Sequence, residues 1–315
     1  HRVDRRQRQM CIRDSVMTMN SQSPITSAQH APITPPNPQD MERVVTTALE
    51  EDLRLGPDVT TIATVPADAQ AVAHVRTREH GVICGIPVVR VVLDKVIGKG
   101  KYTIETFVND GDIIEPGDTV LTIKAPTREL LTAERTLLNI VTHLSGISTI
   151  TRQWIDAMEG TQCRVRDTRK TLPGLRDLEK YAVRVGGGVN HRMALGDAAL
   201  IKDNHVVAAG GVAEALRAVK QQFPNIPTEV EVDSLEQLDA VLEEGVSLVL
   251  LDNMDLPTTR KAVHLRDTKA PQTKLESSGG LTLSDASHYA HAGVDYVAVG
   301  GLTHSVKVLD LGLDM

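Results

Sequence analysis

Aromatic residues and cysteines are scarce in the 315-residue sequence. Phe, Trp and Tyr together make up 2% of it, so little is available to stack against nucleic-acid bases, and nucleic acid is not expected as a partner. The three cysteines, Cys11, Cys84 and Cys163, are odd in number and far apart, which fits neither a disulfide framework nor a metal site. We therefore expect a reducing, cytoplasmic compartment.

Long apolar runs are also absent. No run approaches the roughly 20 residues of a membrane helix, and the N-terminus lacks the apolar middle section of a secretory signal, so neither export nor membrane insertion is expected. Residues 1–40 begin with His and are rich in Arg, then in Ser, Thr, Gln and Pro. We interpret them as a disordered leader, an artefact of upstream translation or sequence assembly with Met17 or Met19 as the candidate start. A transit peptide is disfavoured because Asp4 and Asp14 interrupt the arginines.

From residue 41 the pattern becomes regular and predicts an α/β domain over 41–145. A helical stretch precedes short strands broken by Gly and Pro, and residues 101–124 carry two turns between β-branched runs, which is typical of hairpins. Biotinyl and lipoyl carriers have similar strands, but they display a lysine at a hairpin tip, whereas Lys124 lies at a strand end. The carrier interpretation is therefore disfavoured.

Residues 127–159 predict two helices that are separated near Ser145 and Gly146 and are long enough to join two domains. Arg135 is the unusual residue here, because helical spacing places it on the apolar face formed by neighbouring leucines. Local sequence alone equally allows an arginine that snorkels at a domain boundary.

Six strand-like runs alternate with helical patterns after residue 160, which predicts a parallel sheet in a second domain over 146–305. An open sheet concentrates ligand residues at one switch point, whereas a barrel brings every carboxyl end to one mouth. Because polar or small residues follow nearly every run, we expect an α/β barrel. Those residues are Arg169, Lys170, Lys202, Glu231, Asp233, Asp252, Ser277, Ser278, Gly300 and Gly301.

Two glycine pairs, 279–280 and 300–301, each lie between a predicted strand and a helix-like segment. Loops of this kind expose backbone N–H groups that favour a phosphate. One such pair could simply permit a tight turn, but two neighbouring loops favour a phosphorylated ligand.

Cations gather between residues 163 and 205, where nine Lys or Arg stand against five Asp or Glu in a chain of formal net charge −7. Five charged residues of a predicted helix have spacings that suit solvated ion pairs and are discounted: Arg176, Asp177, Glu179, Lys180 and Arg184. Four cations lie instead beside glycine-rich turns or at a strand end: Arg169, Lys170, Arg192 and Lys202. These four indicate an anionic ligand.

Glu231 and Asp252 end neighbouring predicted strands. Carboxylates there can hold ribose hydroxyls or Mg²⁺ and can stabilise positive charge on a sugar. They can equally offset neighbouring Lys and Arg. Beside the glycine loops and the cations, the ligand role is favoured.

Several motifs in order along residues 41–315 resemble the quinolinate phosphoribosyltransferase family: DTRKTLPGLRDLEKYAV, GGGVNHRMALGDAALIKDNH, EVEVDSLEQ, LESSGGL and VGGLTHS. The resemblance implies an N-terminal α/β sandwich, an open α/β barrel and a homodimer with shared active sites. It also implies that residues 306–315 return to the sandwich. Two positions depart from the family pattern, because Ala194 replaces a usual Gly and Gly301 replaces a common Ala.

The resemblance also implies residue roles. Arg135 would reach the neighbouring subunit's site and join four residues around quinolinate: Arg169, His191, Arg192 and Lys202. Lys170 would contact phosphoribosyl pyrophosphate, and Glu231 and Asp252 would contact its ribose and Mg²⁺. Its 5′-phosphate would contact Ser278, Gly279, Gly300, Gly301 and His304.

The activity that the resemblance implies is phosphoribosyl transfer to quinolinate with decarboxylation, in NAD biosynthesis, with Mg²⁺ and without a redox cofactor. Two alternatives remain: a molybdenum-transport-associated paralogue with another acceptor, and a barrel that binds a phosphorylated metabolite without catalysis. A monocarboxylate acceptor would need fewer of the five quinolinate-binding residues, and a non-catalytic barrel would not need Glu231 and Asp252.

Overall fold

The structure, a computed structural model, describes residues 33–315. The helices are α1 (Pro38–Leu53), α2 (Val59–Thr64), α3 (Ile86–Val96), α4 (Thr127–Ala157), α5 (Arg176–Val185), α6 (Asp203–Ala209), α7 (Val212–Gln222), α8 (Leu235–Glu243), α9 (Leu256–Lys269), α10 (Ala286–His291) and α11 (Gly301–His304), with a 3-10 turn at Leu283–Asp285. The strands are β1 (Gln70–Thr77), β2 (Gly81–Val82), β3 (Thr103–Thr106), β4 (Ile113–Ile114), β5 (Thr119–Pro126), β6 (Arg164–Arg166), β7 (Ala199–Ile201), β8 (Thr228–Val232), β9 (Leu248–Asp252), β10 (Lys274–Ser278), β11 (Tyr296–Ala298) and β12 (Leu311–Asp314).

The first helix, α1, begins at Pro38, a few residues before the predicted start at 41. The Asn37 side chain accepts a hydrogen bond from the Gln39 amide, and proline is favourable at the first helical position because its missing N–H needs no partner there. The predicted disordered leader, residues 1–40, therefore includes residues 38–40, which are helical. Its first 32 residues lie outside the part of the chain that the structure describes.

The N-terminal half contains a four-stranded antiparallel sheet with the order β12-β1-β5-β3, beside a two-stranded sheet of β2 and β4. The C-terminal strand β12 pairs with β1, so the end of the chain lies in the sheet of the N-terminal half. Lys124 lies within β5, opposite Val72 on one side and Thr103 on the other, rather than at a hairpin tip. This position argues against a carrier domain. The predicted domain boundaries of 41–145 and 146–305 stay a prediction.

Residues 127–157 form one continuous helix, α4, and the prediction of two helices was wrong. Gly146 does not break it. A Cβ atom at Gly146 would touch the backbone oxygen of Lys307, so glycine is needed for the C-terminal segment to cross the helix closely. The buried Ser145 hydroxyl bonds the backbone of Cys84, which explains a polar residue there. Within residues 33–315 no helix, α4 included, has both the length and the apolar content needed to cross a membrane.

Six parallel strands form the C-terminal sheet in the order β6-β11-β10-β9-β8-β7, at the six runs predicted from the sequence. The strands β6 and β7 are the two ends of this order, and a single bridge from Arg166 to Val189 extends the sheet beyond β6. The barrel is therefore open between its first two strands. The predicted fold class, an open α/β barrel with an N-terminal α/β sandwich, is confirmed.

Candidate active site

A cavity of about 540 Å³ lies at the carboxyl ends of the parallel strands. Its size suits a small-molecule ligand. Eight of the residues predicted for the site line it: Arg169, Lys170, His191, Arg192, Lys202, Glu231, Asp252 and Ser278. The lining also includes Asp203 and Glu276, which the sequence analysis did not select for the site.

Three of these cations have no carboxylate partner. Among residues 33–315, no salt bridge joins Arg169, Lys170 or Arg192 to an acidic side chain, and the Nε atoms of both arginines are buried without a hydrogen-bond partner. Burial, together with the nearby charge of Arg169, lowers the pKa of Arg192. Two neighbouring guanidinium groups destabilise each other, and an anion between them would relieve this cost. The cavity is therefore suited to an anionic ligand.

The other cation, Lys202, bonds Glu231 across the cavity, with 2.9 Å between Nζ and Oε2. The alternative interpretation from the sequence, that Glu231 neutralises the charge of a nearby lysine, therefore applies to Lys202 in this structure. Lys202 is 48% exposed, so the pair is only partly desolvated and can be exchanged for ligand contacts at modest cost. Asp252 accepts a hydrogen bond from the Asn253 side chain at 2.7 Å.

The two glycine loops lie next to this cavity and differ in what they require. Gly279 has φ +111°, and a Cβ atom there would overlap Asn253, so only glycine fits. A Cβ at Gly300 would lie 3.0 Å from Lys170 Cδ and 3.1 Å from His304 Nε2. Glycine at 300 therefore lets these two polar side chains approach the loop. Gly279, Gly300, Gly301 and His304 are not among the residues lining the 540 Å³ cavity.

The two departures from the family pattern fit their positions without strain. Outside glycine, the only described residue with positive φ is Asn253, so Ala194 occupies an ordinary backbone conformation. Its amide and that of Met193 donate to the Asp197 carboxylate, which fixes this turn. At Gly301 an added Cβ would meet nothing within 4 Å, so alanine and glycine are both accommodated there.

Arg135 lies on α4 and is exposed in the single chain. The expectation that it shares the buried apolar face was wrong, because Arg135 is exposed whereas Leu137 and Leu138 are buried. Arg135 is also absent from the cavity lining of its own chain.

Two of the discounted helix charges are fully buried, so their interpretation as solvated ion pairs was wrong. Lys180 pairs with Asp167 at 2.5 Å, and its Nζ also donates to the backbone oxygens of His191 and Arg192 at 2.8 and 2.9 Å. Burial lowers the pKa of Lys180 and raises that of Asp167. The buried pair thus holds the backbone that carries two cavity residues.

The other buried charge of α5, Glu179, has a similar supporting role. One carboxylate oxygen lies 2.8 Å from His143 Nε2 on α4, and the other accepts from the Leu172 amide at 3.1 Å. The helix α5 packs against α4, and Glu179 and Lys180 are buried there. Their spacing in the sequence, which suits solvated ion pairs, therefore did not indicate their burial.

A second buried cluster includes two residues of the cavity lining, His191 and Glu276. Glu229 Oε2 lies 2.6 Å from His191 Nε2, and Glu276 Oε1 lies 3.9 Å from the same nitrogen. Arg166 donates to the other oxygen of Glu276. Burial first, and then the charge of Glu229, raises the pKa of Glu276 to about 8 despite Arg166.

The sequence contained a signal for this cluster. Side chains two residues apart on a strand lie on the same face, and Glu229 precedes Glu231 by two positions, as Glu276 precedes Ser278. Each strand therefore contributes one residue at the barrel mouth and one residue a layer deeper. The deeper residues were missed because only strand ends were considered.

These charged groups form two layers. The mouth layer consists of Arg169, Lys170, Arg192, Lys202, Glu231 and Asp252. The buried layer consists of Arg166, Asp167, Lys180, Glu229 and Glu276.

Metal-binding capacity differs between the two layers. Among the described residues, one group of three potential ligand atoms lies within 4.8 Å, from His191, Glu229 and Glu276. The predicted metal residues, Glu231 and Asp252, instead lie at the mouth. One carboxylate oxygen of each accepts a hydrogen bond, from Lys202 and Asn253 respectively, and the other oxygen is available to a metal ion. Two carboxylates suit Mg²⁺ when substrate phosphates supply further ligands. The donor set at the mouth therefore fits this ion.

Fold and site together define an α/β-barrel enzyme whose cavity is suited to anionic ligands. Residues 147–314 match the C-terminal domain of the quinolinate phosphoribosyl transferase family, and residues 58–145 match its N-terminal domain. The chain belongs to this quinolinate phosphoribosyltransferase family.

Individual relatives agree with this assignment. Nicotinate-nucleotide pyrophosphorylase (carboxylating) of Mycobacterium leprae (strain TN) is 59% identical over 268 residues, which are 85% of this chain and 94% of that protein. The mitochondrial quinolinate phosphoribosyltransferase (decarboxylating) 2 of Nicotiana glauca is 37% identical over 290 residues, or 87% and 82% of the two chains. The crystal structure of nicotinate-nucleotide pyrophosphorylase from Ehrlichia chaffeensis superposes with a TM-score of 0.82 at 37% identity, covering 86% of this chain and 97% of that one.

Proposed function

We propose that this chain transfers the phosphoribosyl group of phosphoribosyl pyrophosphate to the ring nitrogen of quinolinate and decarboxylates the product. The products are nicotinate mononucleotide, pyrophosphate and carbon dioxide. Membership of the family supports this reaction. The observation that carries it here is the pair Arg169 and Arg192, two neighbouring guanidinium groups that line the cavity and form no salt bridge with a described residue.

Quinolinate is proposed to bind among these cations. It carries two adjacent carboxylates, and an arginine fork can grip a carboxylate through two hydrogen bonds. Arg169, His191, Arg192 and Lys202 line one cavity, which supports their assignment to this acceptor. Lys202 would exchange its contact with Glu231 for one with the ligand.

Phosphoribosyl pyrophosphate is proposed to bind at the neighbouring part of the mouth. Lys170 would contact its diphosphate, and Glu231 and Asp252 would contact the ribose. The 5′-phosphate would meet the two loops after β10 and β11, through Ser278, Gly279, Gly300, Gly301 and His304. The closeness of Gly300 to Lys170 and His304 supports this assignment.

Mg²⁺ is proposed as the cofactor, held by Glu231 and Asp252 with the diphosphate of the substrate. When bound, it would neutralise charge on the diphosphate as this group departs. The fit rests on the two carboxylates at the ends of β8 and β9.

In the proposed mechanism the side chains mainly position the reactants and balance their charges. The bond from the anomeric carbon to pyrophosphate breaks while Lys170 stabilises the leaving group, and the ring nitrogen of quinolinate forms the new bond. The quaternised ring then accepts the electron pair left when the adjacent carboxylate departs as carbon dioxide, and that ring carbon takes a proton. The second carboxylate stays held by the arginines.

We also propose a homodimer in which Arg135 completes the site of the neighbouring subunit. Its exposure on α4 and its absence from the cavity lining of its own chain support this role. Arg135→Ala and Lys202→Ala should each be inactive, yet their mixture should recover up to about a quarter of wild-type activity, because half of the dimers then contain one intact site. No recovery after proven subunit exchange would exclude the shared site.

The proposed reaction is tested by mass spectrometry of products after purified protein and Mg²⁺ are incubated with phosphoribosyl pyrophosphate and either quinolinate or nicotinate. Nicotinate mononucleotide from quinolinate only, with release of carbon dioxide, is the expected result. If a folded sample makes no product from either acid, the acceptor assignment fails, and a paralogue with another acceptor becomes the better explanation. A cytoplasmic location remains a prediction from the cysteine content.

A further inference from the structure

His191 lies between the cavity and the buried layer, and its two ring nitrogens have different surroundings. Nε2 lies 2.6 Å from Glu229 Oε2, whereas Nδ1 is buried without a hydrogen-bond partner among the described residues. An ionised carboxylate can only accept a hydrogen bond, so this contact places a proton on Nε2. Nδ1 is therefore the nitrogen left for a ligand in the cavity that His191 lines.

The chain holds this ring from several sides. The His191 amide donates to Asp167 at 2.9 Å, and its carbonyl accepts from Lys180. Beside the ring, Glu276 is bonded by Arg166, whose guanidinium lies 4.7 Å from the centre of the Tyr296 ring. These contacts fix the backbone of His191 and one edge of its ring.

Glu229 is the only one of these groups that bonds the imidazole ring directly at hydrogen-bond distance. It is 4% exposed, and its second oxygen has no partner in residues 33–315. Burying a carboxylate with an unpaired oxygen is costly, and such exceptions in folded proteins call for an explanation in terms of function or an additional ligand. A role that served packing alone would be met more cheaply by an apolar residue.

We propose that Glu229 is a positioning residue for the acceptor: by accepting a hydrogen bond from Nε2–H it fixes the orientation of His191 and supports the imidazolium form, in which Nδ1–H donates to a carboxylate of the ligand. This inference rests on the proposed function, because it takes the ligand to be quinolinate. The arrangement is the same as that of a second carboxylate that orients a histidine bound to a metal or a substrate.

Calorimetric titration of quinolinate into four variants tests this role: Glu229→Gln, Glu229→Leu, His191→Ala, and the double variant of the last two. Glu229→Leu should weaken quinolinate binding at least tenfold and leave binding of phosphoribosyl pyrophosphate within about twofold. Glu229→Gln should restore most of the affinity, because its amide oxygen can still accept from Nε2. The double variant should bind no more weakly than His191→Ala, because both changes remove one interaction.

The control is Asp110→Asn, which alters a partly buried carboxylate that accepts a hydrogen bond from Tyr181 and does not contact His191. It should lower thermal stability without changing quinolinate affinity. Additive losses in the double variant, or equal losses for both substrates in Glu229→Leu, would overturn the proposal.

Because Glu229→Leu leaves a buried histidine unsatisfied and can fail to fold, a second measurement uses the wild type and Glu229→Gln. In protein labelled with ¹⁵N-histidine, the resonances of His191 are assigned by their loss in His191→Ala. Wild-type Nε2 should be protonated, and the Nδ1 resonance should move when quinolinate is added. An unprotonated Nε2, an unmoved Nδ1, or a stoichiometric metal ion that is lost in Glu229→Gln would contradict the inference.

The two proposals fail in different ways. If the wild type makes nicotinate mononucleotide but the double variant shows additive losses, only the role of Glu229 is wrong. If the wild type binds quinolinate with a moving Nδ1 resonance but forms no product, the role of Glu229 stands and the reaction is wrong.

Discussion

The mouth layer and the buried layer are adjacent, but they differ in whether their charged side chains have partners of opposite charge. At the mouth, Arg169 and Arg192 line a cavity without a carboxylate partner among the described residues. One layer deeper, Asp167 and Lys180 are fully buried and paired with each other. Charges that pair within the chain hold its shape, whereas charges without a partner in the chain are available to a ligand. Pairing and burial, rather than residue type, therefore distinguish the charged residues that support the fold from those available to a ligand.

The largest effect on folding should come from breaking the buried layer. Lys180→Met leaves Asp167 buried without its cation and removes a donor from the carbonyls of His191 and Arg192, so the free energy of unfolding should fall by about 3–5 kcal/mol. Chemical denaturation measures this change. The control is Lys269→Met, which removes exposed salt bridges with Asp239 and Glu243 and should cost no more than about 1 kcal/mol. Equal losses in the two variants would remove the distinction between the layers.

A smaller free-energy change, confined to binding, should come from the mouth layer. Arg169→Ala should lower kcat/KM for quinolinate by roughly a hundredfold or more while leaving unfolding nearly unchanged, because it removes a cation that a bound carboxylate needs. Affinity for phosphoribosyl pyrophosphate should remain. Arg164→Ala, on the exposed side of β6, is the matched control and should be close to wild type. Loss of both substrates in a folded Arg169→Ala protein would count against the assignment of this part of the cavity.

A further expected effect is a pH dependence of stability within the buried layer. Burial raises the pKa of Glu276 from its ordinary 4.5 to about 8, so the folded chain retains a proton that the unfolded chain releases. The contribution of this group is fully present below about pH 4.5 and is lost as the pH rises through about 8.

Thermal unfolding of the wild type and Glu276→Gln across this pH range measures that contribution. The melting temperature of Glu276→Gln relative to the wild type should increase as the pH rises, because only the wild type must ionise a buried carboxyl. A difference that stays constant with pH would show that Glu276 does not titrate in this window.

The ends of the strands could be predicted from the sequence because strand and helix patterns depend on residues close together in the chain. The polar residue at the end of each strand then follows from the sequence itself. All six parallel strands, and six of the residues that line the cavity, follow from this pattern. The family motifs added His191, which has no distinctive local pattern of its own. The layer below could have been found from the two-residue period of a strand, which places Glu229 under Glu231.

Other features depended on contacts that are distant in sequence. The helix α4 continues through Gly146, and glycine is needed there because the segment at Lys307 crosses the helix closely. No pattern in the neighbouring sequence indicates that crossing. Lys180 and Glu179 have the spacing of surface pairs, yet both are buried because partners at Asp167 and His143 meet them in the fold. The exposure of Arg135 likewise depends on how α4 packs.

The central claim is that the mouth layer is built for two carboxylates on one ligand. Calorimetric titration of the wild-type protein with quinolinate and with nicotinate tests it most directly. Quinolinate should bind at least tenfold more tightly than nicotinate, since a second charge-assisted contact contributes roughly 1.5–3 kcal/mol. Equal affinities for the two acids would contradict it.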